Sequence, residues 1–106
     1  MKRNVPFIKE WIAALRSGLF EQTSGKLRSL DNKYCCLGVA CALKDNSKWT
    51  TMEKEYHWNR EYNLWPQDFQ DEVGLTGDEV RELWHRNDTR LHNFNQIADY
   101  LETLIK

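Results

Sequence analysis

Three cysteines, Cys35, Cys36 and Cys41, fall within seven positions of a 106-residue chain. Cys35 and Cys36 stand where a strand is expected to meet a helix N-terminus. The partial positive charge there lowers a thiol pKa and favours the nucleophilic thiolate. Cys36 is therefore the candidate nucleophile for a thiol-dependent hydrolase. Such an enzyme also needs a base, for which His57 is the candidate, with His85 and His92 equally distant in sequence. The favoured account is plainer: free cysteine is among the most buried residue types, and small thiols fill a tight junction well. An odd thiol count with two adjacent members makes a poor disulfide framework, and no Cys-x-x-Cys or His-x-x-x-His pair supports zinc. A site joining these thiols to His57 or His92 has no support from spacing, so no metal or cofactor is expected.

The better functional candidate is the stretch 48–65. It holds Trp49, Tyr56, Trp58, Tyr62 and Trp65, interleaved with Lys48, Lys54, Glu55, His57 and Arg60. Indole and phenol rings stack on bases while a cation holds phosphate, the combination used for nucleotides and single strands. Tryptophan and tyrosine are also good strand residues, so some of these rings are expected in the core. A second cluster, Arg16, Lys26 and Arg28, could hold an anion; pairing with acidic residues elsewhere in the chain is the favoured use. Asn87-Asp88 lies in a turn, where Asp usually bonds to nearby backbone, and that structural role is favoured over acid–base chemistry. No glycine-rich phosphate loop, His-Glu-x-x-His pair or nucleophile elbow occurs.

Charge limits the partners. Fifteen basic against sixteen acidic residues give a net charge of −1, too little cation to neutralise the phosphates of duplex DNA. The balance is an average: residues 1–53 hold nine basic and five acidic residues, residues 54–106 six and eleven. The favoured reading is a fold in which the two halves neutralise each other. No apolar run approaches the roughly 20 residues of a membrane span, and the first residues lack a signal-peptide core. A cytoplasmic protein with no membrane partner is expected.

These side chains must be positioned by a single domain, since the length leaves no room for a second core. Asn4 as N-cap, Pro6 in the first turn and Phe7, Ile8, Trp11, Ile12 and Leu15 predict a helix over 5–17, closed by Gly18. Lys26–Leu30 and Lys33–Cys36 flank an Asp31-Asn32 turn and read as a short hairpin. The small apolar run from Cys36 suits a buried helix over 36–44, with Gly38 and Ala40 allowing close approach; a buried strand competes, since periodicity does not separate the two in so short a run. Residues 48–65 are the least regular, with Tyr56 and Trp58 on one face of a strand. Pro66 opens a helix over 66–73 that Gly74 ends; Thr76 and Asp78 offer caps for one over 77–86. Asn93 with Gln96 makes a capping box for the last, over 93–105. The expected class is α+β: about five helices around a small antiparallel sheet or hairpin.

Several strings together carry a resemblance: Trp11–Gly18, Leu27-Arg28, Tyr34-Cys-Cys-Leu-Gly-Val-Ala-Cys41, Leu64-Trp-Pro66, Val73-Gly-Leu75, Asn87-Asp88 and Phe94–Tyr100. The chain resembles a family of small proteins encoded in tailed-bacteriophage and prophage genomes, over most of its length outside roughly 44–63. The resemblance implies an accessory protein acting in the cytosol of an infected bacterium. It supplies no reaction and no catalytic residue.

The expected function is binding: a phage accessory protein that blocks a host factor, as an anti-defence protein would, by capturing a host protein or sequestering a small nucleotide. Arg16, Arg28, Trp49, Tyr56, Trp58, Arg60, Tyr62 and Trp65 are the expected contact residues. Cysteine hydrolysis through Cys36 with His57, and a single-stranded nucleic-acid module, are the alternatives. A homo-oligomer stays open.

Overall fold

In the computed structural model, which describes residues 2–106, the chain runs α1 (Val5–Arg16), α2 (Cys36–Asp45), a 3-10 turn (Asn46–Lys48), β1 (Trp49–Met52), β2 (Glu55–Trp58), α3 (Gln67–Val73), α4 (Gly77–Asp88) and α5 (Phe94–Leu104). No helix among the described residues is long and apolar enough to cross a membrane. Five helices and one two-stranded antiparallel sheet make an α+β fold, as expected.

The helices start and stop where their caps dictate. Asn4 accepts the Phe7 N–H at 3.2 Å, and α1 then buries Ile8, Trp11, Ile12 and Leu15 on one stripe. Reciprocal capping boxes open α4 (Thr76 with Glu79) and α5 (Asn93 with Gln96), each satisfying two otherwise unpaired N–H groups. Gly74 ends α3 in the left-handed region with φ +82°. Its missing Cβ also leaves room for the backbone of Lys2, whose carbonyl oxygen would stand 2.2 Å from that atom.

α2 is the centre. Cys36 to Cys41 are buried on every side, which fits a helix apolar all round. Three indoles converge on its carbonyls: Trp11 Nε1 donates to Cys36 O at 2.9 Å, Trp65 Nε1 to Leu37 O at 2.9 Å and Trp58 Nε1 to Asp45 O at 2.8 Å. Each large ring is thereby buried without orphaning its one donor. Gly38 meets the chain at Leu27, where a Cβ would lie 1.8 Å from the Leu27 carbonyl oxygen. That same carbonyl accepts the Cys35 N–H at 3.2 Å.

The hairpin is elsewhere than expected. Residues 26–36 form a turn with a single antiparallel bridge, Arg28 to Tyr34, and no strands. The sheet is instead β1 and β2, paired Trp49↔Trp58, Thr50↔His57, Thr51↔Tyr56 and Met52↔Glu55. Its turn residues Glu53 and Lys54 have φ of 52° and 65°, and a second tight turn follows with Asn59 at 47° and Arg60 at 73°. Two successive positive φ values are the geometry of the twist-matched hairpin turn, which Asn-Gly normally announces. Neither turn contains glycine, so the sequence carries no such announcement.

Two outcomes follow. Gly38→Ala pushes a methyl into rigid backbone, so in urea titration it is expected to lose stability at or above the top of the usual range of about 1–3 kcal/mol for overpacking. Lys54→Gly relieves a left-handed lysine and is expected to gain about 1 kcal/mol, read by calorimetry as a melting temperature higher by roughly 4–8 °C.

Candidate binding surface

The turn that replaced the expected hairpin builds the most concentrated site on the molecule. A two-residue Asp31-Asn32 turn would have set Ser29 opposite Tyr34. The loop is one residue longer: Ser29 N–H donates to Lys33 O at 2.8 Å, and Asn32 takes φ 63°. Arg28 therefore pairs with Tyr34, and a one-residue slip changes which side chains share a face. The Arg28 guanidinium lies 3.9 Å from the Tyr56 ring centroid, 5.3 Å from Trp49 and 5.5 Å from Tyr34. The rings are themselves in contact edge to face, Phe20 to Tyr34 at 5.1 Å, Tyr34 to Trp49 at 6.0 Å and Trp49 to Tyr56 at 6.1 Å.

Asn32 fixes the cation from the other side, its Oδ1 accepting from Arg28 Nε at 3.2 Å and Nη2 at 2.6 Å. Among the described residues no carboxylate pairs with Arg28, whereas Arg3, Arg16, Arg81, Arg86 and Arg90 all have one. Arg28 is thus a half-buried cation held rigid by three rings and an amide, with its charge uncompensated. Sequence reasoning found Arg28, Trp49 and Tyr56 but missed Tyr34 and Asn32. The signal for both was the Asp31-Asn32 turn, read one residue too short.

The other expected contact residues divide. Arg16 donates to Asp99 and Glu102 at 2.7 Å each, joining α1 to α5, which is the pairing role favoured for it. Trp58 and Trp65 are core residues, 1% and 6% exposed, and offer no surface to a partner. Arg60 is exposed in its left-handed turn. Tyr62 is half-buried under Lys26 Nζ at 6.0 Å and beside His57 at 5.6 Å. His57 and Tyr62, with Met52, Glu53 and Glu55, line a cavity of about 280 Å³ on the far face of the hairpin.

The thiols take the packing role. All three cysteines are free and buried. Burial pushes the Cys35 thiol up to about 12 and the Cys36 and Cys41 thiols well above the ordinary value of 9.0. Cys36 Sγ donates to Leu83 O at 3.7 Å. A protonated thiol with no exposed surface cannot attack a substrate, and no hydrogen bond joins Cys36 to His57 among the described residues. Asn87 and Asp88 are structural; they close α4 instead of forming a turn. Beside the local bond from Asn87 Nδ2 to Asp88 Oδ1 they reach distant backbone, Asn87 Nδ2 donating to Thr23 O at 2.8 Å and Asp88 Oδ2 accepting the Gly25 N–H at 3.0 Å.

With the fold and this surface in view, one comparison is informative. The model of a family described as a domain of unknown function, DUF8296, matches residues 1–105. The chain belongs to that family. No curated protein and no solved structure matches it. The surface of this DUF8296 chain therefore has to be interpreted through its own chemistry.

That chemistry makes alkaline pH a sharp test of thiol burial. Each thiol has a raised folded pKa, so its contribution to stability is complete below the unfolded value of 9.0 and is lost as pH rises above it. For Cys35 the window runs from 9.0 to about 12. Native protein is expected to resist iodoacetamide at neutral pH and to lose stability progressively above pH 9; rapid labelling of one native thiol would contradict the burial.

Proposed function

We propose that the protein is a binding module that blocks a partner protein by occupying its surface, with no bond broken. The observation that supports this is the Arg28 nest. Stacking on Tyr34, Trp49 and Tyr56 removes the freedom a surface arginine would lose on binding, so contact with an anionic group costs less entropy. Arginine, tryptophan and tyrosine are also the residue types that dominate interface energetics. In the setting that the sequence resemblance implies, the partner is a host protein in the cytosol of a phage-infected bacterium, and its inhibition would serve anti-defence.

Two other readings lose ground on specific grounds. A nucleobase would need an open ring face, and the guanidinium already covers Tyr56 at 3.9 Å. Thiol hydrolysis would need a reachable thiolate, and Cys36 is neither reachable nor ionised at neutral pH.

The deciding experiment is affinity capture from a bacterium expressing the tagged protein. Arg28→Ala and Tyr56→Ala are expected to lose the dominant companion while circular dichroism shows an intact fold, since a partly exposed cation–π contact is worth about 0.5–2 kcal/mol. Arg16→Ala, which disturbs only the α1–α5 seam, is expected to retain it. Equal capture by all variants would overturn the assignment.

A further inference from the structure

The geometry points to the form of the partner: we infer that an extended protein segment with acidic residues at alternate positions adds to β1 as a third strand. This rests on the binding role of the Arg28 nest and specifies what the nest receives.

The two strands differ in what their outer edges offer. With Glu53 and Lys54 as the turn, Met52 pairs with Glu55 and Thr50 with His57 in the inward-bonding register. Thr51 consequently turns its N–H and C=O away from β2, and neither group has a partner among the described residues. On β2 the equivalent outward pair is that of Tyr56, but the next outward groups are taken, because Trp58 N–H donates to Glu61 O at 2.8 Å and Glu61 N–H returns to Trp58 O at 2.9 Å. The β1 edge is Trp49-Thr-Thr-Met52, with Thr50, Thr51 and Met52 exposed. It contains neither the charge nor the proline that usually protects an edge. Unpaired edges of this kind accept an extended peptide through main-chain hydrogen bonds, and alternate side chains then confer specificity.

Charge selects the occupant. An added strand lies about 4.8 Å beyond β1 with alternate side chains on each face. One face is that of Trp49, Thr51 and Tyr56, where Arg28 lies 5.3 Å from the Trp49 ring without a carboxylate partner. An Asp or Glu of the added strand on this face completes the ion pair. The opposite face presents Met52, 53% exposed, and suits an apolar side chain. A second copy of β1, paired antiparallel about Thr51, would bring one acid to this face, Glu53, and that residue is held in the left-handed hairpin turn with φ 52° and not in strand geometry.

A synthetic peptide of about ten residues alternating valine and glutamate, with its valine–lysine counterpart, tests this by nuclear magnetic resonance. The glutamate peptide is expected to bind, to slow exchange of the Thr51 amide, and to bind about tenfold more tightly than the lysine peptide. Thr51→Pro, which removes the donor but leaves Arg28, is expected to weaken it about tenfold or more; Arg28→Gln is expected to erase the preference for glutamate. The amide measurement on unaltered protein stands even where the proline variant misfolds. Absence of binding by either peptide, or binding with an unchanged Thr51 amide, overturns the strand-addition inference. Self-association that protects Thr51 without peptide overturns it in favour of a second copy. None of these results alters the capture comparison for Arg28→Ala and Tyr56→Ala, whose failure would remove the binding role of the nest itself.

Discussion

One carboxamide ties the 22–23 segment and the end of α4 to the start of α2. Asn87, 2% exposed near the end of α4, uses both halves of its amide. Its oxygen accepts from Gln22 Nε2 at 2.8 Å and from the Cys36 N–H at 3.2 Å. Its nitrogen donates to Thr23 O at 2.8 Å and to Asp88 Oδ1 at 2.7 Å. The bond to Cys36 matters most, because Cys35, the N-cap of α2, supplies no side-chain cap. A residue from α4 therefore does what Ser or Asp normally does locally. Only asparagine or glutamine carries the donors and acceptor together, and a buried network left half satisfied is worse than none.

From that anchor the chain's charge asymmetry becomes intelligible. Arg3 with Glu79, Arg16 with Asp99 and Glu102, Lys26 with Glu55, and Lys44 with Glu72 each join the basic half to the acidic half. Partly exposed pairs of this kind are worth little individually. Together they take up four of the nine cations of the first half, and among the described residues Arg28 is the one arginine of that half without a carboxylate. Its compensation comes from ring quadrupoles instead of a carboxylate, a weaker and more easily supplemented partner.

The helices were legible in the sequence because caps and periodicity are local. Asn4, Gly74, Thr76 and Asn93 each act within four residues of themselves, and helix ends fell within two residues of expectation. The hairpin was not legible, since its turns place Glu53, Lys54 and Arg60 in a backbone region that such residues avoid. The site was legible in part. Arg28, Trp49 and Tyr56 stood out by type, while Tyr34 depended on a register set by one residue of loop. Trp58 and Trp65 misled for a physical reason: their indole donors are satisfied by main-chain acceptors distant in sequence, which lets both rings enter the core. Here those acceptors are carbonyls of α2, 13 and 28 residues away.

The same distinction bears on why the binding face sits where it does. Among the described residues six other than glycine hold positive φ, and five of them (Asn32, Glu53, Lys54, Asn59 and Arg60) lie in the turn that carries the arginine, in the β-hairpin turn and in the turn after β2. Such conformations cost of order 1 kcal/mol or more each and persist only where neighbours over-determine them. The neighbours are identifiable: Asn32 is held by Arg28, the 53–54 turn by the β1–β2 ladder, and the 59–60 turn by the reciprocal Trp58–Glu61 bonds. The buried indole of Trp58, tied to Asp45 O, connects that strained end of the hairpin to α2. The aromatic nest is thus presented on turns whose shape is dictated by the core through Trp58. This makes the face rigid without requiring it to be buried, the condition under which a small surface can bind without first paying to order itself.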